Sequence, residues 1–128
     1  MTEKQLCDEA VIISGIDPKK CMKCGKCSGA CPSYEEMDYH PHQFVDMVSK
    51  GRIYALMESE SIYKCLSCFV CSERCPRDVN PSKIVEAVRV LKLRQQGSVR
   101  LTADSVSGII DEDTPQQLLM AAFRKYSR

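Results

Sequence analysis

The chain has 128 residues, with 18 Lys and Arg against 17 Asp and Glu and a formal net charge of +1. That length sets one fold unit with a modest core, and so balanced a charge excludes the basic footprint that a nucleic-acid partner requires. Nine cysteines leave a disulfide framework, structural metal or metal clusters; the odd count and the polar start MTEKQLCDEA, which is no secretion signal, point away from disulfides and toward a reducing compartment.

In chain order, residues 1–20 predict a short helix with Leu6, Ala10, Val11 and Ile13 on its apolar side, closed by the turn signal SGIDP. The first cysteine run, CMKCGKCSGACP, starts at Cys21. FVDMVSKG then predicts a helix stopped at Gly51, with Phe44, Val45, Met47 and Val48 covering one side. RIYALMES adds a second helical piece carrying Ile53, Leu56 and Met57. A near-copy of the first run, CLSCFVCSERCP, starts at Cys65, so the two runs hold eight of the nine cysteines and suggest a pseudo-twofold core.

Beyond it, Asn80-Pro81 predicts an N-cap with proline in the first helical position. The helix that follows buries Ile84, Val85, Val88 and Leu91, turns Lys83, Arg89 and Lys92 elsewhere, and ends near Gly97. The stretch VRLTADSVSGIIDEDTP reads as a connector. A last helix runs from Pro115 to about Tyr126 with Leu118, Leu119, Ala122 and Phe123 on one side, and ends the chain on a basic tail of Arg124, Lys125 and Arg128. The longest apolar runs fall far short of the roughly 18 residues of a spanning helix, so direct membrane insertion is not expected.

A C-x2-C-x2-C loop turns three sulfurs and several backbone amides toward one centre, and the amides stabilise negative charge on sulfur. The fourth cysteine stands where the chain leaves the loop, and Pro32 and Pro76 hold it extended. In a two-cluster core that last sulfur serves the cluster built by the other run. The expectation is therefore two [4Fe-4S] clusters, one held by Cys21, Cys24, Cys27 and Cys75 and the other by Cys65, Cys68, Cys71 and Cys31. Structural zinc is the competing reading, but it typically pairs two separate C-x2-C elements and has no use for a third cysteine at the same interval.

Two thiolate-bound cubanes take the net charge from +1 to about −3. With every ligand position filled by cysteine, electron transfer is the expected use. Lys20, Lys23 and Lys26 surround the first run while Leu66, Phe69 and Val70 surround the second, which predicts the higher potential for the first cluster. Lys23, Lys26, Lys64, Arg74 and Arg77 are read as solvated side chains beside the negative clusters or as a docking surface for a redox partner. Cys7 is read as a buried or incidental thiol, and His40 and His42 as surface or cap residues. No catalytic triad, phosphate loop or carboxylate pair is present, so no catalytic residue is expected.

The segments CMKCGKCSGACPSYEE and YKCLSCFVCSERCPRDVNPSKIVEAVRVLKLRQQG closely resemble the iron-sulfur C subunit of the heterodisulfide reductases of methanogens and their relatives in other anaerobes. The resemblance covers about residues 18–97, with a weaker echo in QQLLMAAFRKYS. The cysteine pattern alone is shared with iron-sulfur subunits of succinate dehydrogenase, fumarate reductase and anaerobic glycerol-3-phosphate dehydrogenase. The resemblance implies a mainly α fold, an alpha-helical ferredoxin core with two [4Fe-4S] clusters and flanking helices. Length and element pattern together with the resemblance give one domain over 1–128, with the cluster core at 18–97 and a connector and partner-contacting helix at 98–128. The implied role is electron relay within a hetero-oligomer, from a flavin-containing A subunit to a catalytic B subunit that cleaves CoM-S-S-CoB. A diffusible dicluster ferredoxin, a relay in another anaerobic oxidoreductase and a structural or regulatory cluster protein are the alternatives.

Overall fold

The computed structural model describes residues 2–94, 102–108 and 110–126. Every regular element among them is helical. The chain forms two compact units, Met1–Leu93 and Arg94–Arg128.

The first unit opens with α1, Glu3–Ser14. Thr2 and Gln5 close a capping box, the Gln5 carboxamide accepting from the Thr2 N–H at 2.8 Å, so two of the helix's orphan donors are satisfied reciprocally. Gly15 ends the helix at φ +66 and returns its N–H to the Val11 carbonyl. The inward face differs from the expected one. Cys7 and Ala10 are buried while Ile13 is exposed, because the packing stripe is centred about one residue from where the apolar spacing alone put it.

Two short helices, α2 at Lys26–Gly29 and α6 at Val70–Arg74, carry the third sulfurs of the two cysteine loops, Cys27 and Cys71, and pack on each other. Between them lie α3 (Pro41–Ser49), α4 (Ile53–Glu58) and α5 (Ser61–Lys64). Proline at the first position starts α3, and Gly51 at φ +74 turns the chain after it. The buried Ser61 hydroxyl accepts the backbone N–H groups of Asp38 and Tyr39 at 2.9 and 3.0 Å, tying the approach to α3 onto α5.

The long helix α7, Pro81–Leu93, packs against α1, α3, α4, α5 and α6 and so forms the spine of this unit. Ile84, Val85 and Val88 bury one face of it against Phe44, Ile53, Leu56 and Ile62, all at or near zero exposure. Burial of side chains of this size contributes roughly 1.5–3 kcal/mol each. Arg89 and Lys92 are folded back from that helix onto neighbouring backbone. The helix ends four residues before Gly97, and Gly97 itself lies outside the described residues.

The second unit holds α8, Ala103–Val106, and α9, Gln116–Tyr126. The expected connector thus contains a helical turn, started by a Thr102 hydroxyl that accepts from the Ser105 N–H at 3.4 Å. Along α9, Leu119, Ala122 and Phe123 are half-buried whereas Leu118 and Met120 are exposed. Arg128 lies outside the described residues. Among the described residues no helix is long and apolar enough to cross a membrane.

Candidate metal centre

The eight run cysteines line two cavities. Cys21, Cys24, Cys27 and Cys75 stand around one of about 350 Å3, counting its open side. Cys31, Cys65, Cys68 and Cys71 stand around the other, of about 360 Å3 on the same measure. None of the nine cysteines is in a disulfide. Each cavity therefore takes three sulfurs from one run and the fourth from the other.

Local backbone explains how three sulfurs in seven residues face one way. Lys23 and Gly25 have φ +57 and +74 in the first loop, and Ser67 and Phe69, at the equivalent places in the second, have +54 and +61. Backbone that alternates in handedness makes a concavity of N–H groups suited to an anion. The Lys23 N–H donates to the Cys21 sulfur at 3.4 Å, and beyond the second run the Val79 N–H donates to the Cys75 sulfur at 3.3 Å. Glycine takes such a conformation without strain, whereas a phenylalanine at Phe69 holds it at a cost.

The sulfurs differ in depth in the same order in both runs. Cys27 and Cys71 are buried, Cys24 and Cys68 exposed, and the others intermediate. Burial pushes the Cys27 thiol up, opposed by the hydroxyl and amide of Ser28, while Cys71 and Cys21 nearby push it further up. Burial also raises Cys31, against the Ser33 amide, with Cys65, Cys71 and Cys68 adding to the rise. Four thiolates crowded this way need a positive core to neutralise them.

Hydroxyls and a histidine complete the walls. The Ser82 hydroxyl meets the Cys71 sulfur at 2.9 Å. Ser28 meets Nδ1 of His42 at 2.6 Å and accepts its backbone N–H at 3.2 Å. His42 lines the first cavity, so it is no surface residue; its place follows from standing second in α3, next to a helix start. His40 does stand at that helix start, stacked on Tyr34 with ring centroids 3.8 Å apart. The clue to His42 and Ser82 in the sequence is the pair HPH and NPS, each placing a polar residue just after the proline that starts a helix. Pro81, at the start of α7, lines both cavities, which puts the positive end of a helix dipole beside each.

Four sulfurs around a single zinc ion would lie about 3.8 Å apart. Among the described residues no three His, Cys, Asp or Glu groups converge to hold one ion. The donor set of each cavity, four thiols around a larger space with amide, hydroxyl and helix-dipole donors behind them, fits a polynuclear cluster.

Residues 17–79 match the family model described as a 4Fe-4S dicluster domain, and the chain holds two [4Fe-4S] clusters. Three of the curated relatives are C subunits of heterodisulfide reductases. The C2 subunit of the H(2)/formate:CoB-CoM heterodisulfide,ferredoxin reductase of Methanococcus maripaludis is 38% identical over 73 residues, 57% of this chain and 39% of that one. The C subunit of the ferredoxin:CoB-CoM heterodisulfide reductase of Methanosarcina acetivorans is 36% identical over 81 residues, covering 63% and 32%. The iron-sulfur C 2 subunit of the CoB–CoM heterodisulfide reductase of Methanocaldococcus jannaschii is 35% identical over 83 residues, covering 65% and 44%. The chain thus spans less than half the length of these relatives.

Proposed function

We propose, for a chain that carries the 4Fe-4S dicluster domain and is related to the C subunit of heterodisulfide reductases, that it is the electron-relay subunit of such a reductase. Cys21, Cys24, Cys27 and Cys75 hold one cluster, and Cys65, Cys68, Cys71 and Cys31 the other. When bound, the clusters supply one-electron storage. The chain's own residues space them, insulate them and expose one edge of each.

The observation that carries this reading is the order of burial. Cys27 and Cys71, the deep sulfurs, lie on α2 and α6, which pack together, while Cys24 and Cys68 are at the surface. Such an arrangement has a shared interior and an exposed edge at each centre, as a relay between two partners requires. The donor is a flavin-containing A subunit and the acceptor a catalytic B subunit, in a cytoplasmic hetero-oligomer that reduces CoM-S-S-CoB. The helix α9 contacts a partner, a reading supported by its exposed Leu118 and Met120.

Anaerobic native purification from the source organism tests this, with subunits identified and iron, sulfide, zinc and flavin quantified on one sample. The expected result is two cubanes' worth of iron and sulfide in this chain, with flavin and a second iron-sulfur subunit in constant ratio. An isolated chain carrying the same iron would make it a diffusible carrier instead, and zinc without sulfide would overturn the cluster reading.

A further inference from the structure

The charge around the two loops is arranged differently from what the sequence suggests. Lys23, one of the two lysines inside the first loop, has its side chain 63% exposed and pairs with Asp46 at 3.0 Å. Asp46 also takes Lys50 at 2.7 Å. A solvated cation facing a carboxylate projects little field, because water and the counter-charge both screen it. Lys20 and Lys26 are exposed as well.

The second loop has no lysine within it, yet a cation is built onto its backbone. Arg89 reaches from α7 to the carbonyl of Cys65, which it bonds through a terminal nitrogen at 2.6 Å. Its Nε donates to the carbonyl of Ile62, and its other terminal nitrogen lies 3.5 Å from the Ser67 hydroxyl. The two carbonyl contacts are partly buried, and all three acceptors are neutral. Among the described residues Arg89 has no ion pair. One turn along the same helix, Lys92 donates to the Met57 carbonyl and sits 5.1 Å from the Tyr63 ring centroid.

A guanidinium spends its rigid fork well on two convergent carbonyls, and a charge so held, partly out of water and unopposed, acts at longer range than an exposed lysine. We propose that Arg89 is a positioning residue for redox tuning: it raises the reduction potential of the cluster held by Cys65, Cys68, Cys71 and Cys31 by fixing a positive charge on the backbone of that loop. This rests on the ligand sets proposed above. The step it favours is a one-electron reduction of that cluster from a core charge of 2+ to 1+, with no proton taken up and the electron supplied by the donor.

The test is an anaerobic redox titration of the full cluster-loaded chain followed by electron paramagnetic resonance, with dithionite as reductant and iron and sulfide counted on every sample. Cys24→Ser and Cys68→Ser assign the two reduction waves, since each alters the signal of one cluster. Arg89→Gln keeps donors on a similar stem and removes the charge. It should change the reduced-to-oxidised ratio of the second wave at fixed potential about tenfold toward oxidised, about 59 mV for one electron, and leave the first wave and the iron count alone. Arg89→Lys restores charge without the fork and should recover most of the shift.

An unmoved second wave in Arg89→Gln at full iron overturns the proposal. A shift in Arg89→Lys as large as in Arg89→Gln does so too, and loss of iron and sulfide in both variants makes Arg89 a structural clamp and nothing more. A Cys68→Ser change that touches both waves or neither counts against the ligand sets themselves, whatever Arg89 does.

Discussion

The first and second cysteine loops share a backbone and differ in almost everything around it. Both place left-handed residues at the third and fifth positions, both bury the third sulfur, and both run into a short helix. Yet the first loop is rimmed by exposed Lys23 and Lys26 with Met22, and its wall includes His42. The second is rimmed by exposed Leu66 and Phe69, has Ser82 in its wall, and is gripped from behind by Arg89. A duplicated loop therefore holds the ligand geometry constant while its surroundings set the electrostatics and the outer surface of each centre separately.

The harshest way to break the pair is to remove the sulfur that each lends to the other. Cys75→Ala should abolish the cluster whose other three ligands come from the first run, and with it a staple between the halves. The expected result is iron reduced to half or below, with a loss of helical circular dichroism. An intact second cluster with unchanged helix content would show that the halves fold independently.

Packing beneath the second loop comes next in size. Phe44 is 1% exposed and lines the cavity of Cys31, Cys65, Cys68 and Cys71. Its replacement by alanine should destabilise the chain by about 3–5 kcal/mol, read as a lower denaturant midpoint. Because Phe44 is not among the residues lining the first cavity, iron loss should begin at the second.

The equivalent positions Gly25 and Phe69 offer a sharper comparison. Both have φ near +60 to +75. Gly25→Ala meets no neighbouring atom but is strained by its φ, and should cost about 1 kcal/mol. Phe69→Gly relieves the same strain and should stabilise by a similar amount, so the two changes move the denaturant midpoint in opposite directions. Equal signs would mean that the exposed Phe69 ring packs on something worth more than its strain.

The smallest effect is the acid response of the first loop's ion pair. Lys50 and then Lys23 hold the Asp46 carboxyl below its ordinary 3.8, against a slight rise from burial. A depressed carboxyl contributes stability that is complete above the unfolded value and is lost as the pH falls through the lower folded value. Asp46→Asn should therefore cost less than about 1 kcal/mol at neutral pH, and the difference from the parent chain should begin to shrink as the pH falls below 3.8 and vanish only below the lower folded value. A difference that persists there would mean the carboxylate's role is packing.

Helices were legible in this chain because their signals are local. Pro81 and the glycines at 15 and 51 mark ends that the structure shows within a few residues; Thr2 with Gln5 and Pro41, which the apolar spacing passed over, mark the starts of α1 and α3. The site was legible as eight sulfurs in two repeated runs. Its surroundings were not, since His42, Ser82 and Arg89 reach the loops from helices 14, 11 and 22 residues away from the groups they touch. The inward face of α1 was misjudged at Ile13 for a related reason: apolar spacing defines a stripe only to within a residue, and the partner helices α7 and α4 choose its centre.

The amino-acid sequence alone determined the chemistry, namely eight thiols at intervals that let each loop curl around a centre, prolines that carry the fourth sulfur away, and helices to hold both. Spacing along the backbone is enough for that, since each loop is closed within seven residues. Only the tertiary structure decided which sulfurs are deep and which exposed, and that Lys23 is spent on Asp46 while Arg89 is held on the carbonyl of Cys65. Those outcomes depend on screening and on distances through space, and both are set by how α3, which carries Asp46, and α7, which carries Arg89, lie in the core.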